Sequence, residues 1–307
     1  MRRRKCYIVN GWPILEMRKI NKKTIALVIV AILVVAAAVL AYRYDQPPEG
    51  APNPEWEASV NSPDLVREKF FVQSGDLKLE AELIMPAGGR EVKPAVIFLP
   101  GSSASPYQGY SPGLVETYVQ DVFLPRDMAV LYVNKRGIGQ SEGNMLHNDF
   151  QGRADDVYAA VQYLKDHPSI DPENIGVIGH SQGGWVAPLV AAQHDDVAFF
   201  ISLAGPTTTV EEQMVATYEN DFRCQGYDSA ELEEKTARNL NTTRFGASIG
   251  RVIPIGLIGF DAGIIDYEPR QALQTVSSPG LLVFGENDLL VPPDQNLARF
   301  DEIFGAR

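Results

Sequence analysis

From residue 24 to residue 42 the chain runs TIALVIVAILVVAAAVLAY, nineteen positions without a charged side chain. At 1.5 Å per residue a helix of this length crosses the hydrocarbon core of a bilayer, so the stretch predicts a transmembrane segment. The following segment, 43–66, is polar and rich in proline, a composition that favours an extended stalk. Beyond it, short apolar runs predict strands over 69–73, 78–85, 95–99, 129–134, 175–178, 199–203 and 280–284, with helices over 153–167 and 184–194. Alternation of this kind implies the α/β class, a mainly parallel sheet with helices on both faces and the first two strands as a hairpin at its edge.

Between 206 and 275 the alternation breaks. Segments 210–222 and 229–245 have the pattern of polar amphipathic helices, with Ser229 the expected N-cap of the second, and a glycine-punctuated apolar stretch follows over 249–265. An insertion of this size between two strands predicts a helical cap over a binding site, within one domain spanning 67–307.

Charge divides the chain in the same place as hydropathy. The net charge is −12, yet residues 1–45 hold nine Lys or Arg against two acids, leaving 18 basic and 37 acidic side chains, −19, in the remainder. So acidic a surface repels a polyanion and excludes nucleic acid as a partner. Eight positive charges precede the apolar run and only Arg43 follows closely. The positive-inside rule then puts the basic segment 1–23 in the cytoplasm and the domain outside, on a single-pass anchor in the cell membrane. The alternative is a secreted protein whose signal peptide is cleaved near the small residues at 36–38 and Ala41, but the run exceeds the usual signal length. Met17, which heads a shorter basic segment, is a second candidate start. Cys6 and Cys224 fall on opposite sides of the predicted membrane, which excludes a disulfide between them, and Cys224 is expected as a semi-buried thiol. No spacing suits a metal, and no cofactor is expected.

The candidate chemistry lies in NIGVIGHSQGG, 174–184. A buried-type strand runs into Gly179-His180-Ser181-Gln182-Gly183, and a helix pattern begins at Gly184. A serine on such a strand-to-helix turn needs a cramped backbone that lifts its Oγ above the sheet, and glycines two before and two after give it room. Three further segments stand out: FLPGSSAS at 98–105, NKRGIGQSEG at 134–143 and GENDLLVPP at 285–293. In the second, Arg136 is expected to pair with Asp155 or Asp156.

Together these segments resemble the alpha/beta-hydrolases, near bacterial esterases similar to prolyl-oligopeptidase-like and serine-aminopeptidase-like hydrolases, over residues 69–307. The resemblance implies a serine hydrolase with Ser181 as nucleophile, the N–H groups of Ser102 and Gln182 as oxyanion donors, and Asp288 as the acid, with Glu286 and Asp294 lesser candidates. It also implies a base, and here the chain departs from the pattern. The order serine, acid, histidine places the histidine after Asp288, yet 289–307 contains none, and His147, His167, His180 and His194 all precede it. Two expectations follow. Either the sequence is cut short before the last strand and helix, which would leave a sheet edge and a core face exposed, or the base has been lost. Both predict a chain of little activity. The expected substrate is a small or medium carboxylic ester. Alternatives are a short peptide, its N-terminus held by Glu211, Glu212 or Glu219, and a membrane-anchored protein that binds without turnover.

Overall fold

The computed structural model describes residues 56, 58, 60–110 and 114–305. The expected cytoplasmic segment and membrane span lie outside these residues; among the described ones no helix is long and apolar enough to cross a membrane. Seven strands, β1 (Leu65–Ser74), β2 (Leu77–Pro86), β3 (Lys93–Leu99), β4 (Ala129–Val133), β5 (Ile170–His180), β6 (Phe199–Leu203) and β7 (Gly280–Val283), form one sheet in the order β1-β2-β4-β3-β5-β6-β7. The expected hairpin is β1–β2, turning at Gly75 with φ +54°, and β2 also runs antiparallel to β4. From β4 to β7 every pairing is parallel. The alpha/beta-hydrolase fold is therefore present, with its strand C-termini gathered along one edge. Ligands of parallel sheets bind outside that edge.

Seven helices complete the part that matters for the site: α1 (Phe150–Lys165), α2 (Gly183–Gln193), α3 (Val210–Cys224), α4 (Ser229–Gly250), α5 (Gly256–Ile264), α6 (Arg270–Thr275) and α7 (Pro293–Phe304). Side chains alternate across the strands, so the sheet supplies two cores. Ile97, Leu131 and Val177 pack on one face against Val161 and Leu164 of α1 and Val186 and Val190 of α2. Val96, Phe98, Val130 and Ile178 point the other way and are covered by Trp56, Tyr107, Val119 and Phe123. Each of the large aliphatic side chains buried here stabilises the fold by about 1.5–3 kcal/mol, which is why the central strands were legible as apolar runs.

Four local expectations change. The stalk expected to reach residue 66 ends earlier, because Trp56 is 1% exposed, with its ring edge-on to Tyr107 at 5.4 Å and to Tyr132 at 5.0 Å, and Val60 is fully buried. One indole buries enough apolar area to dock a segment whose average composition is polar. The N-cap of α4 is Asp228, not Ser229: its carboxylate accepts from the N–H groups of Ala230 and Glu231, and Glu231 returns a bond to complete a capping box. Cys224 is exposed rather than semi-buried, since it ends α3 on the solvent side. Finally, β5 begins five residues before the expected 175, where Ile170 pairs with Lys93 beyond an irregularity in the ladder.

The insertion after β6 is helical. α3 and α4 pack together and α4 crosses α5 closely, with a Cβ at Gly250 falling 1.9 Å from the Ile258 carbonyl oxygen. α6 then packs on α2 and leads into β7. No other described strand pairs with the outer edge of β7, and its Leu281 and Val283 are 55% and 41% exposed.

Candidate active site

Ser181 sits between the last residue of β5 and the start of α2, with φ +52°. A non-glycine residue in this left-handed region costs about 1–3 kcal/mol, and the neighbours hold it there. Its N–H donates to the Leu203 carbonyl at 2.9 Å, and its carbonyl accepts from Gly184 at 2.8 Å. The flanking glycines are a steric requirement. A Cβ at Gly179 would lie 2.0 Å from the Gly183 carbonyl oxygen, and one at Gly183 would lie 2.4 Å from that of Leu99.

The loop after β3 approaches the same point. A Cβ at Gly101 would stand 3.1 Å from that of Ser181. The Gly101 N–H is already used, donating to the Tyr110 hydroxyl at 2.7 Å. Those of Ser102 and Gln182 are engaged by no other group of the described chain, leaving both open to an oxygen on a substrate bound at Ser181.

Two basic side chains hold this corner. Arg153 donates from Nη2 to the Pro100 carbonyl at 2.6 Å and from Nη1 to the Gln182 Oε1 at 2.7 Å, tying the β3 loop to the residue after Ser181. Burial brings its pKa down to about 10, still charged at neutral pH. Lys135 donates from Nζ to the carbonyls of Gly101, at 2.8 Å, and Ser103. Burial, with Arg153 nearby, pushes its pKa well below the ordinary value. Sequence reading gave neither residue a role, because their partners are tens of positions away. Arg136 pairs with Asp156, as expected, its Nη2 lying 2.8 Å from Oδ1.

Asp288 lies five residues beyond β7. Its Oδ1 accepts from the N–H groups of Leu290 and Val291, both at 2.9 Å, which fixes the carboxylate with Oδ2 free to accept. Among the described residues, Asp288 makes no hydrogen bond to a histidine. His180 Nδ1 lies 2.7 Å from the Tyr110 hydroxyl, and burial lowers the imidazole pKa while Asp288 partly opposes the fall. That hydroxyl also accepts from the Gly101 N–H, and the direction of its bond with Nδ1 follows the imidazole tautomer. His167 bonds Glu68, and His194 stacks on Tyr158 with centroids 3.4 Å apart. His147 lines a separate cavity of ≈ 510 Å³ with Arg136 and Asp149.

Ser102, Ser181 and Gln182 open into a cavity of ≈ 340 Å³ roofed by α3 and α5, with Trp185, Met214 and Ile264 among its apolar walls. The acids expected to anchor a peptide do not line it. Glu211 pairs with Arg244, and Glu212 is divided between the N-cap of α3 and Arg299. Asp261 of α5 lines it instead. The signal was present: Asp261 is the single charge between residues 252 and 265.

With this geometry in place, comparison with known proteins becomes informative. The family model for X-Pro dipeptidyl-peptidase (S15 family) matches residues 74–246, more than half of the chain. The chain belongs to the S15 peptidase family. The match takes in Ser102, Ser181 and Gln182 and stops short of Asp288. Among curated relatives of this S15 protein, a thiohydrolase (aneE) of Aspergillus aculeatus is 29% identical over 157 residues, 50% of this chain and 46% of that one. The acylamino-acid-releasing enzyme of Mus musculus is 25% identical over 274 residues, 81% and 31% of the two chains. The chain therefore spans less than half the length of these relatives. Among solved structures, a Pyrococcus furiosus esterase, Pf2001, superposes with a TM-score of 0.57 at 19% identity, covering 84% of this chain and 83% of its own. At that identity the likeness concerns the fold. The S15 family match and the alpha/beta-hydrolase fold therefore agree.

Proposed function

We propose that this protein is a serine hydrolase that cleaves small to medium carboxylic esters through an acyl-enzyme on Ser181. The observation that carries the reading is the serine's left-handed turn at the mouth of a cavity, beside two N–H groups with no other engagement. Ser181 Oγ bonds to the acyl carbon, and the carbonyl oxygen takes the negative charge between the Ser102 and Gln182 N–H groups. Each donor contributes about 3–4 kcal/mol to such a transition state. Collapse breaks the ester bond and releases the alcohol with the proton from Oγ; water then adds to the acyl carbon and frees Ser181. Asp288 is the acid that would orient the base. No histidine follows Asp288 in these 307 residues. Turnover by them is accordingly expected to be residual, roughly 10³–10⁴-fold above water. Hydrolysis of p-nitrophenyl butyrate that disappears in Ser181→Ala supports the reading, and equal hydrolysis by the variant refutes it.

The family match favours a second reading, cleavage of short peptides. Comparing p-nitrophenyl esters with aminoacyl p-nitroanilides at equal concentration separates the two. Ligand affinity with no Ser181 adduct after fluorophosphonate treatment would instead favour a protein that binds without turnover. We also propose that residues 24–42 anchor the protein in the cell membrane with this domain outside. Release of the full chain from membranes by alkaline carbonate, or from cells as a shortened product, would contradict that placement.

A further inference from the structure

We propose that the tip between α4 and α5 is a lipid-contact site, whose aliphatic side chains enter the apolar layer of a bilayer. Of the sixteen large apolar side chains exposed among the described residues, six fall within 245–257: Phe245, Ile249, Val252, Ile253, Ile255 and Leu257. Val252 is 81% exposed and Leu257 64%. None of the six lines the Ser181 cavity, so a molecule bound there leaves them uncovered.

The tip is built the wrong way round for water. α4 and α5 cross so closely that a Cβ at Gly250 would meet the Ile258 carbonyl oxygen, and one at Gly259 would lie 2.9 Å from the Pro254 Cα. Glycine therefore occupies the inside of the crossing. The Val252 and Ile253 N–H groups both donate to the Ile249 carbonyl at 2.9 Å, which folds the chain over at the end of α4. With no room inside, the branched side chains face out, and residues 251–255 are exposed without a break, four of the five being apolar. Turns in water favour Gly, Asn, Asp and Ser, and a run of exposed apolar residues held in a fixed place marks a surface that meets something apolar.

Charge and chain length point to lipid as the occupant. Residues 245–260 contain no Asp or Glu and one cation, Arg251, although the sequence beyond residue 45 carries a net −19. An acid-free apolar tip enters the head-group boundary without burying a carboxylate. Arg251, paired with Asp266 at the base of the tip, is long enough to keep its guanidinium at head-group level. Thirteen residues, 43–55, separate the apolar run 24–42 from the docked Trp56. So short a tether, about 45 Å of extended chain, keeps the local concentration of lipid high, and a shallow contact too weak for a free protein then suffices. This last step rests on the reading of 24–42 as a membrane anchor.

Cys224 supplies an internal control. It is exposed and lies five residues before α4, whose 22 residues place it about 33 Å from the tip. The full chain with Cys6→Ser is labelled at Cys224 with the polarity-sensitive fluorophore NBD. The full chain with Cys6→Ser, Cys224→Ser and Val252→Cys carries the same label at the tip. Each is reconstituted with equal parts phosphatidylcholine and phosphatidylglycerol, with and without nitroxide-labelled lipid. The expected result is blue-shifted emission at position 252 and quenching by the nitroxide lipid roughly fivefold stronger there than at Cys224. Ile253→Glu together with Ile255→Glu should abolish both effects in the tip-labelled chain, and thermal unfolding checks its fold. Equal quenching at the two positions, or quenching that survives this double substitution, overturns the proposal. A blue shift that nitroxide lipid does not quench and that fades on dilution means that a second copy covers the tip, which overturns it equally. The anchor is judged separately by alkaline carbonate. If carbonate releases the chain while position 252 is quenched, the anchor reading fails and the tip contact stands. If the chain stays in the membrane and position 252 is unquenched, the tip contact alone fails.

Discussion

Ser181 and Ser102 follow β5 and β3, the buried centre of the sheet, whereas Asp288 follows β7, whose Leu281 and Val283 face solvent. On the first side Arg153 and Tyr110 connect the loop after β3 to the end of β5 and the turn that follows it, Lys135 holds the same loop from the end of β4, and glycine spacing leaves no room for a side chain. On the second, one aspartate is held by two backbone N–H groups of its own turn. The contrast separates two jobs. In the proposed reaction, positioning Ser181 against its oxyanion donors needs a frame rigid to a fraction of an ångström, and contacts between distant parts of the sequence would supply it. The acid's turn is local and closes on itself.

Substitutions of equal size on the two sides should therefore differ. Ile97→Ala, in β3, is expected to lower stability by about 2–5 kcal/mol, against less than about 1 kcal/mol for Leu281→Ala in β7, read as urea midpoints. A comparable loss at both positions would mean that β7 is covered in solution. Next in size, Arg153→Met leaves the Pro100 carbonyl and the Gln182 side chain without their donor. It should cost about 2–4 kcal/mol and also lower ester turnover, while Asp288→Asn, whose amide oxygen can keep both backbone bonds, should stay within about 1 kcal/mol by the same measurement. A destabilising Asp288→Asn would break the comparison.

Asp288 makes no hydrogen bond to a histidine among the described residues, which gives a sharper test of the acid side. Added imidazole should raise p-nitrophenyl butyrate turnover about tenfold beyond the reaction of imidazole alone and of Ser181→Ala, because a free base can stand between Asp288 and Ser181. No enhancement over those controls would place a working base already in the protein. The smallest effect concerns Asp261. Burial raises its carboxyl pKa in the folded protein, so the folded state holds that proton more tightly than the unfolded one. The stability it contributes is complete below the unfolded pKa and is lost as pH rises through the folded value. Asp261→Asn, which cannot ionise, should accordingly raise the thermal midpoint slightly at neutral pH and leave it unchanged in acid; a lower midpoint at neutral pH would contradict this sign.

Apolar runs such as 95–99 and 175–178 placed the central strands, because burial on both faces leaves little room for polar residues. The start of β5 was hidden by Asp171, Pro172 and Glu173, which are tolerated where the ladder is irregular. Trp56 was hidden by its polar neighbours. At the site, the turn around Ser181 was legible because its geometry is a local demand on five consecutive residues. Arg153 was not, since its partners are 29 and 53 positions away, and Glu211 and Glu212 were misread because their cations, Arg244 and Arg299, come later in the chain. Local constraint leaves a mark in sequence, and long-range pairing leaves almost none.

The central claim is that Ser181 is the reacting atom's residue, and peptide mass spectrometry after prolonged fluorophosphonate treatment tests it most directly. The account predicts a single phosphonylated peptide containing Ser181, formed slowly, accelerated by imidazole and absent from Ser181→Ala. Modification spread over other serines, or none at Ser181 under conditions that label a known serine hydrolase, would contradict it.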